Sequence, residues 1–435
     1  MRRAVLALLV PATLQAQGLT PVERRVRDAV AAQRADAVAY LQRAIDIPSS
    51  TLNAAGVRRV GELFRASFDS LGFTTRWIEM PPEMNRAGHL VAERRGRPGA
   101  VRMLLIGHFD TVVEPAGPHF VREDSLGRGI GGADMKGGDV VILYALKALQ
   151  AAGALDNLTI TVVITGDEEL PGRPLETARA ALIEAARTSD VALGFEGGNR
   201  RDATYARRGS SSWLLHTTGR QAHSAGVFGQ GAGYGAIYEA ARILDAFRRE
   251  IAGEQYLTFN AATTVGGTDV AYDTAAGTGT TASKTNIVPQ TAVVHGDLRF
   301  ISAEQLQRTR QRMRQIVSQH LPGTGADITF FDSYPAMSPT PGGERLLGVY
   351  DGVSQALGYG PVAALDPGRR GAADIAFVAP LIDGLDGLGA LGGGAHAPEE
   401  RVNLNALPMQ IERAALMMLR LGARPAREFA RSPQP

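Results

Sequence analysis

The chain contains no cysteine. That excludes a disulfide framework and any thiolate metal site, so a metal here must be held by imidazole and carboxylate. Charge of one sign is not in surplus either, with 46 basic against 44 acidic residues. A nucleic-acid footprint needs a dense cationic excess, and none is expected. Long apolar runs are missing as well. The run near the start, Ala4 to Val10, is too short for a permanent membrane span. Placed after Arg2 and Arg3 and before Leu14-Gln15-Ala16, it reads as a secretory signal peptide over residues 1–16. Its removal takes two arginines and leaves 44 basic against 44 acidic residues. With no cysteine for a lipid anchor, a periplasmic or secreted protein with no membrane attachment is expected.

What is present concentrates in residues 101–138. The apolar run Val101 to Ile106 predicts a buried strand that delivers Gly107-His108-Phe109-Asp110 to its C-terminal end, where open α/β sheets place their ligands. His108 and Asp110 are two apart, so on extended chain both face one way, and the carboxylate can hold one imidazole nitrogen while the other meets a metal. The glycine-flanked Asp134 then precedes an apolar-periodic helix. Leu158 to Thr165 predicts another buried strand, ending in Gly166-Asp167-Glu168-Glu169. Val191 to Phe195 ends in Glu196, and the apolar run Gly384 to Leu391 leads into Gly392-Gly393-Gly394-Ala395-His396. His108, Asp134, Glu169, Glu196 and His396 thus make a mixed nitrogen and oxygen set, suited to a pair of Zn²⁺ or similar ions with one carboxylate between them.

At 435 residues the chain has room for two domains. Thr20-Pro21-Val22-Glu23 is a capping box with proline at the first helical position, opening a helix to about Ile47. Strands and helices alternate from there to about Tyr205, which predicts a three-layer α/β catalytic domain with a mixed sheet. From Arg207 the rhythm changes. Expected strands at Ser211–Thr217, Leu257–Val265, Thr281–Ile287 and Ala292–Ile301, with helices at Gly233–Arg249 and Ala303–Gln319, fit a ferredoxin-like α+β insertion. The expected division is therefore core over 17–206, insertion over 207–325 and core again over 326–435, with a disordered tail beyond Pro425.

These motifs and their order resemble the dizinc carboxypeptidase and aminoacylase family that includes glutamate carboxypeptidase, acetylornithine deacetylase and succinyl-diaminopimelate desuccinylase. Gly194-Phe195-Glu196-Gly197-Gly198 and the insertion motifs look most like the glutamate carboxypeptidase branch. The resemblance implies two Zn²⁺ per chain, with Co²⁺ or Mn²⁺ as alternatives. His108 and Glu196 would hold one ion, Glu169 and His396 the other, and Asp134 would bridge them by a residue whose bond to Met135 is cis. Asp110 would orient His108, and Glu168 would be the general base. In such enzymes the insertion is a lid and dimerisation domain. Here Gly219-Arg220-Gln221-Ala222-His223-Ser224 looks like the motif whose histidine stabilises the oxyanion in the partner of a homodimer. Asn286 and Arg299 would contact substrate, as would Arg370 and Gly371 in a glycine-rich loop. The plainer readings are a turn before Pro289 for Asn286, a pairing with Asp297 for Arg299 and an ordinary turn for His223. Arg207 and Arg208 mark the core-to-insertion junction, as substrate contacts or as an exposed basic hinge.

The resemblance implies a secreted carboxypeptidase acting on a peptide or N-acyl amino acid next to its free C-terminal carboxylate. An N-acyl-amino-acid deacylase is the alternative within the enzyme class. A metal-dependent peptide-binding protein is the alternative outside it, and it would have no use for the unligated carboxylate of Glu168.

Overall fold

The computed structural model describes residues 18–114 and 119–429; the expected signal peptide lies outside the described residues. The core is built on a six-stranded sheet in the order Thr74–Ile78, His89–Arg94, Thr159–Thr165, Arg102–His108, Val191–Gly194, Asp383–Leu385. The first three pair antiparallel and the last four parallel, so the sheet is mixed as expected. Its central strands are apolar without polar alternation because both faces are covered. Met103 and Leu105 join the core cluster on one face, Leu104 and Ile106 the cluster on the other, as the two-residue period of a strand requires.

The first face is covered by helices Pro21–Ile45, Ala54–Ser70, Lys136–Ala151, Pro341–Ala356 and Leu407–Gly422, the second by Ala180–Arg187 and Ile375–Val378. The expected capping box forms: Thr20 accepts from Glu23 N, and the Glu23 side chain accepts from Thr20 N. Helix Lys136–Ala151 is buried almost all round, which explains its nearly uninterrupted apolar composition. No helix among the described residues is long and apolar enough to cross a membrane.

Between the two halves of the core sits an antiparallel sheet in the order Thr258–Gly267, Thr291–Phe300, Gly209–Gly219, Thr324–Asp332. Helices Ala236–Glu250 and Ala303–Val317 pack on it, giving the β-α-β-β-α-β order of a ferredoxin-like unit with its own core of Trp213, Ile243, Phe247, Val294, Leu298 and Met313.

Three expectations are corrected. Strand Thr324–Asp332 pairs with Gly209–Gly219, so the insertion runs past residue 325 and the return to the core comes after Asp332. Thr281–Ile287 is not one strand: Asp269–Asp273 and Thr278–Ala282 form a hairpin, and Ile287–Val288 pairs separately with Ala222–His223. The tail beyond Pro425 does not begin in disorder, because Ala426–Glu428 is a helical turn and Phe429 is buried in the main core. A lone aromatic among arginines and prolines carries too little periodicity to reveal that docking.

Trp213 fills the centre of the insertion and donates from Nε1 to the Asp297 carbonyl at 3.0 Å. Trp213→Ala is expected to destabilise the insertion by about 3–5 kcal/mol. Urea unfolding followed by circular dichroism checks this.

Candidate metal centre

The parallel strands end together at one sheet edge, and three of the four deliver cluster side chains there. His108 closes Arg102–His108, Glu168 and Glu169 follow Thr159–Thr165, and Glu196 follows Val191–Gly194. Asp134 arrives from the turn before helix Lys136–Ala151, and its bond to Met135 is cis, as the resemblance implied. His396 comes from the glycine-rich loop, with a left-handed backbone at φ 64°.

Asp134 lies between the two imidazoles. Its Oδ1 is 3.3 Å from His108 Nε2, and its Oδ2 is 3.1 Å from His396 Nε2. Glu196 Oε1 stands 3.5 Å from His108 Nε2, and Glu169 Oε2 stands 3.2 Å from His396 Nε2. Each imidazole is therefore shared between Asp134 and one glutamate. The half-buried Glu168 has a carboxylate oxygen within 4.8 Å of donor atoms of both His108 and Glu196.

Asp110 is fully buried, and most of its hydrogen bonds differ from those expected. The nearest acceptor to His108 Nδ1 is the Asp110 backbone carbonyl at 3.0 Å, with the carboxylate at 3.4 Å. That carboxylate instead accepts from Glu168 N at 2.9 Å, Glu169 N at 3.1 Å and the Thr51 hydroxyl at 2.6 Å. Burial opposes its charge, but His108, Thr51 and the Glu168 amide outweigh burial and hold the carboxyl below the usual carboxylate range.

The electrostatics of the cluster are those of acids crowded round two imidazoles. Burial would depress His108, yet Asp110, Asp134 and Glu196 hold it well above the usual histidine range. Asp134 beside it raises His396 to about 9 against the effect of burial. Burial pushes Glu169 up to about 8, with the charges of Asp134 and Asp110 adding to it. Burial likewise pushes Glu168 well above the carboxylate range, assisted by Glu196 and Asp374 and opposed by His108. The donor set fits divalent cations. Five carboxyls surround two imidazoles, and the buried His108 Nε2 and Glu169 Oε1 make no hydrogen bond.

Supporting residues escaped the sequence reading. Glu400, 1% exposed, accepts from Gly131 N, Ala133 N and Asp134 N at 2.7–2.9 Å and so clamps the turn that carries Asp134. Arg179 is buried between Asp167 at 2.6 Å and Asp374 at 2.7 Å, behind the Glu168-Glu169 turn. His89, given no role from sequence, accepts from Gly166 N at 3.2 Å and bonds the Ala178 carbonyl at 2.8 Å. The only signal for any of these is a polar residue near a ligand, which sequence cannot separate from a solvated one.

The remaining candidates are not gathered into the cluster. His223 is exposed in the insertion, its Nδ1 accepting from Ala225 N at 3.1 Å. Asn286 is exposed, with its carbonyl accepting from Ser224 N at 2.9 Å. Arg299 pairs through Nε with Asp297 at 3.0 Å, the plainer reading. Arg370 lies near the centre, donating to the Gly197 carbonyl beside Glu196. Gly371 is exposed, and its carbonyl accepts from Arg207 Nη1 at 2.8 Å. Arg207 is no exposed hinge residue, since it is 2% exposed and paired with Asp386 at 2.6 Å.

A mixed α/β core with a ferredoxin-like insertion, and imidazoles and carboxylates meeting at the sheet edge, defines the class as a two-domain metallohydrolase. Residues 104–420 match peptidase family M20/M25/M40, and the chain belongs to that family. Carboxypeptidase G2 of Pseudomonas sp. (strain RS-16) is 27% identical over 440 residues, covering 97% of this chain and 98% of that protein. Among solved structures, aminopeptidase PepT of Bacillus cereus ATCC 10987 matches with a TM-score of 0.72 at 18% identity, over 89% of this chain and 98% of that one. The YXEP protein of Bacillus subtilis, a dinuclear metal binding peptidase of the M20 family, matches at 0.64 with 14% identity, over 90% and 99%. The chain is thus a metallopeptidase homologous to carboxypeptidase G2.

Two outcomes follow from this geometry. Glu400→Gln replaces an acceptor oxygen by an NH₂ facing amide donors, and is expected to weaken metal affinity roughly 10–100-fold; competition with a chromogenic chelator measures it. Because His396 is raised to about 9 in the metal-free chain, it is protonated at neutral pH, and metal binding must displace that proton. Calorimetry at pH 7.5 in buffers of different ionisation enthalpy is expected to register proton release, with apparent affinity rising as pH approaches 9.

Proposed function

We propose that the chain is an exported carboxypeptidase that hydrolyses the amide or peptide bond next to a free C-terminal carboxylate. The observation that carries this reading is Asp134 between two histidines, each shared with one glutamate, while Glu168 stands beside them on a peptide fixed to Asp110. His108 and Glu196 would hold one divalent cation and Glu169 and His396 a second, with Asp134 shared. Nitrogen and oxygen donors without thiolate favour Zn²⁺, with Co²⁺ or Mn²⁺ as alternatives. Such ions, when bound, supply a polarised carbonyl and a water that ionises near neutral pH.

The chain's own residues do the rest. Glu168 takes the proton of the attacking water and returns it to the nitrogen of the leaving amine. Burial raises its carboxyl above the usual carboxylate range, which makes the carboxylate a stronger base for the proton it takes. Asp110 orients it through the Glu168 amide and sets the tilt of His108 through its own backbone carbonyl.

Closure of the insertion would bring Asn286 and Arg299 to the substrate. The Asp297 pairing occupies Nε of Arg299, so its terminal nitrogens suit a carboxylate. In a homodimer the exposed His223 would serve the partner's oxyanion. On the core side Arg370, which donates to the Gly197 carbonyl beside Glu196, would contact the substrate together with the Gly371 loop. The leader-like residues 1–16 support export. An N-acyl amino acid presents the same bond beside the same carboxylate, so the substrate panel must include both.

Glu168→Gln is expected to lower kcat roughly 10²–10⁴-fold while retaining metal. Turnover of dipeptides and N-acyl-glutamate, read beside metal content, checks it. Undiminished turnover with metal in place would remove the base assignment.

A further inference from the structure

Two crossings join the core to the insertion, residues 205–208 and 333–340, and they run side by side. Arg207 N donates to the Met337 carbonyl at 2.8 Å, Met337 N to the Arg207 carbonyl at 3.0 Å, and Ser210 N to the Tyr334 carbonyl at 2.8 Å. Any movement of the insertion relative to the core must pass through this ladder, hereafter the hinge.

Its two strands are anchored differently. The first is locked by charge: buried Arg207 pairs with Asp386 at 2.6 Å and donates to the Gly371 carbonyl at 2.8 Å. The second is held at its start by Arg173, which donates to the Asp332 carbonyl at 2.8 Å, and touches Glu168 itself through a neutral group. Tyr334, 9% exposed and packed on Phe377 with ring centroids 5.1 Å apart, donates its hydroxyl to the backbone carbonyl of Glu168. Its oxygen accepts from Arg179 Nη2 at 3.4 Å. Burial, with Glu168 and Asp374 nearby, keeps the phenol well above the usual tyrosine range, so it stays a donor.

Glu168 is therefore held on both sides of its backbone. Its N–H is fixed by Asp110 of the core at 2.9 Å, its carbonyl by Tyr334 of the hinge. A general base works only within hydrogen-bond reach of the proton it takes. We propose that Tyr334 is a positioning residue that ties the hinge to Glu168, so that movement of the insertion is transmitted from Asp332 through Tyr334 to the Glu168 peptide and aims its carboxylate. This rests on Glu168 being the base.

Tyr334→Phe keeps the ring and removes the link. Its kcat is expected to fall roughly 10- to 100-fold with metal content unchanged, and its KM to stay within about twofold. Replacement of Tyr334 by p-aminophenylalanine, which restores a donor, is expected to recover most of that loss. Because the effect runs through Glu168, the double variant with Glu168→Gln is expected to be no slower than Glu168→Gln alone. A Tyr334→Phe enzyme with wild-type kcat, a loss confined to KM, or losses that multiply in the double variant would each overturn the coupling while leaving the base assignment standing. Wild-type turnover by Glu168→Gln would overturn both. Should Tyr334→Phe not fold, amide exchange in the wild-type enzyme decides: residues 167–170 and 333–337 must open at one common rate, and independent rates sink the proposal.

Discussion

The candidate metal centre depends on the buried carboxylate of Asp110. A carboxylate removed from water costs several kcal/mol unless donors surround it, and here the donors are the Glu168 amide, the Glu169 amide and the Thr51 hydroxyl. The arrangement works in both directions. The donors keep Asp110 ionised, and Asp110 fixes the only peptide that bears both a candidate ligand and the candidate base. Neighbouring residues leaving a strand point to different sides, so once that peptide is fixed, Glu169 turns toward His396 and Glu168 toward His108 and Glu196.

The same argument weighs the cluster as a whole. Burial, and after it the like charges of neighbouring acids, push Glu168 and Glu169 toward protonation, and both effects oppose the folded chain. The charges of the imidazoles oppose this push. Of the two acids paired with Arg179, Asp374 adds to the push on Glu168, while the pairs together hold the turn that carries it. A site whose carboxyls outnumber its imidazoles is stabilised when cations enter, which makes binding free energy part of the protein's stability. The geometry is thus better suited to ion binding than to bare structural support.

Much of this was legible before any coordinates. Apolar runs ending in His, Asp or Glu predicted both the buried parallel strands and which residues meet, since a parallel sheet brings strand ends to one edge whatever their separation in sequence. The insertion was legible from its changed rhythm, but not its last strand: Thr324–Asp332 is half exposed and carries polar residues between its apolar ones, too weak a pattern to distinguish from a return to the core. Residues that act through backbone groups left no trace. Glu400 clamps three amides and Tyr334 holds a carbonyl, and none of those partners is encoded by side-chain type.

Convergence of the ligands also demands close backbone packing, and that is what the glycines provide. A Cβ on Gly138 would lie 2.0 Å from the Phe195 carbonyl oxygen, and one on Gly389 would lie 2.0 Å from the same atom from another side. Phe195 precedes Glu196. The chain bearing that carboxylate is therefore wedged between the helix that follows Asp134 and the segment that leads to His396, at distances no other residue permits. Flexible side chains alone could reach a common point from farther apart, but only by spreading over many rotamers and losing entropy on every ordering event. Short Asp and Glu arms on tightly packed backbones reach it with little freedom left to lose, and for that reason the metal-binding geometry is set by the main chain before any ion arrives.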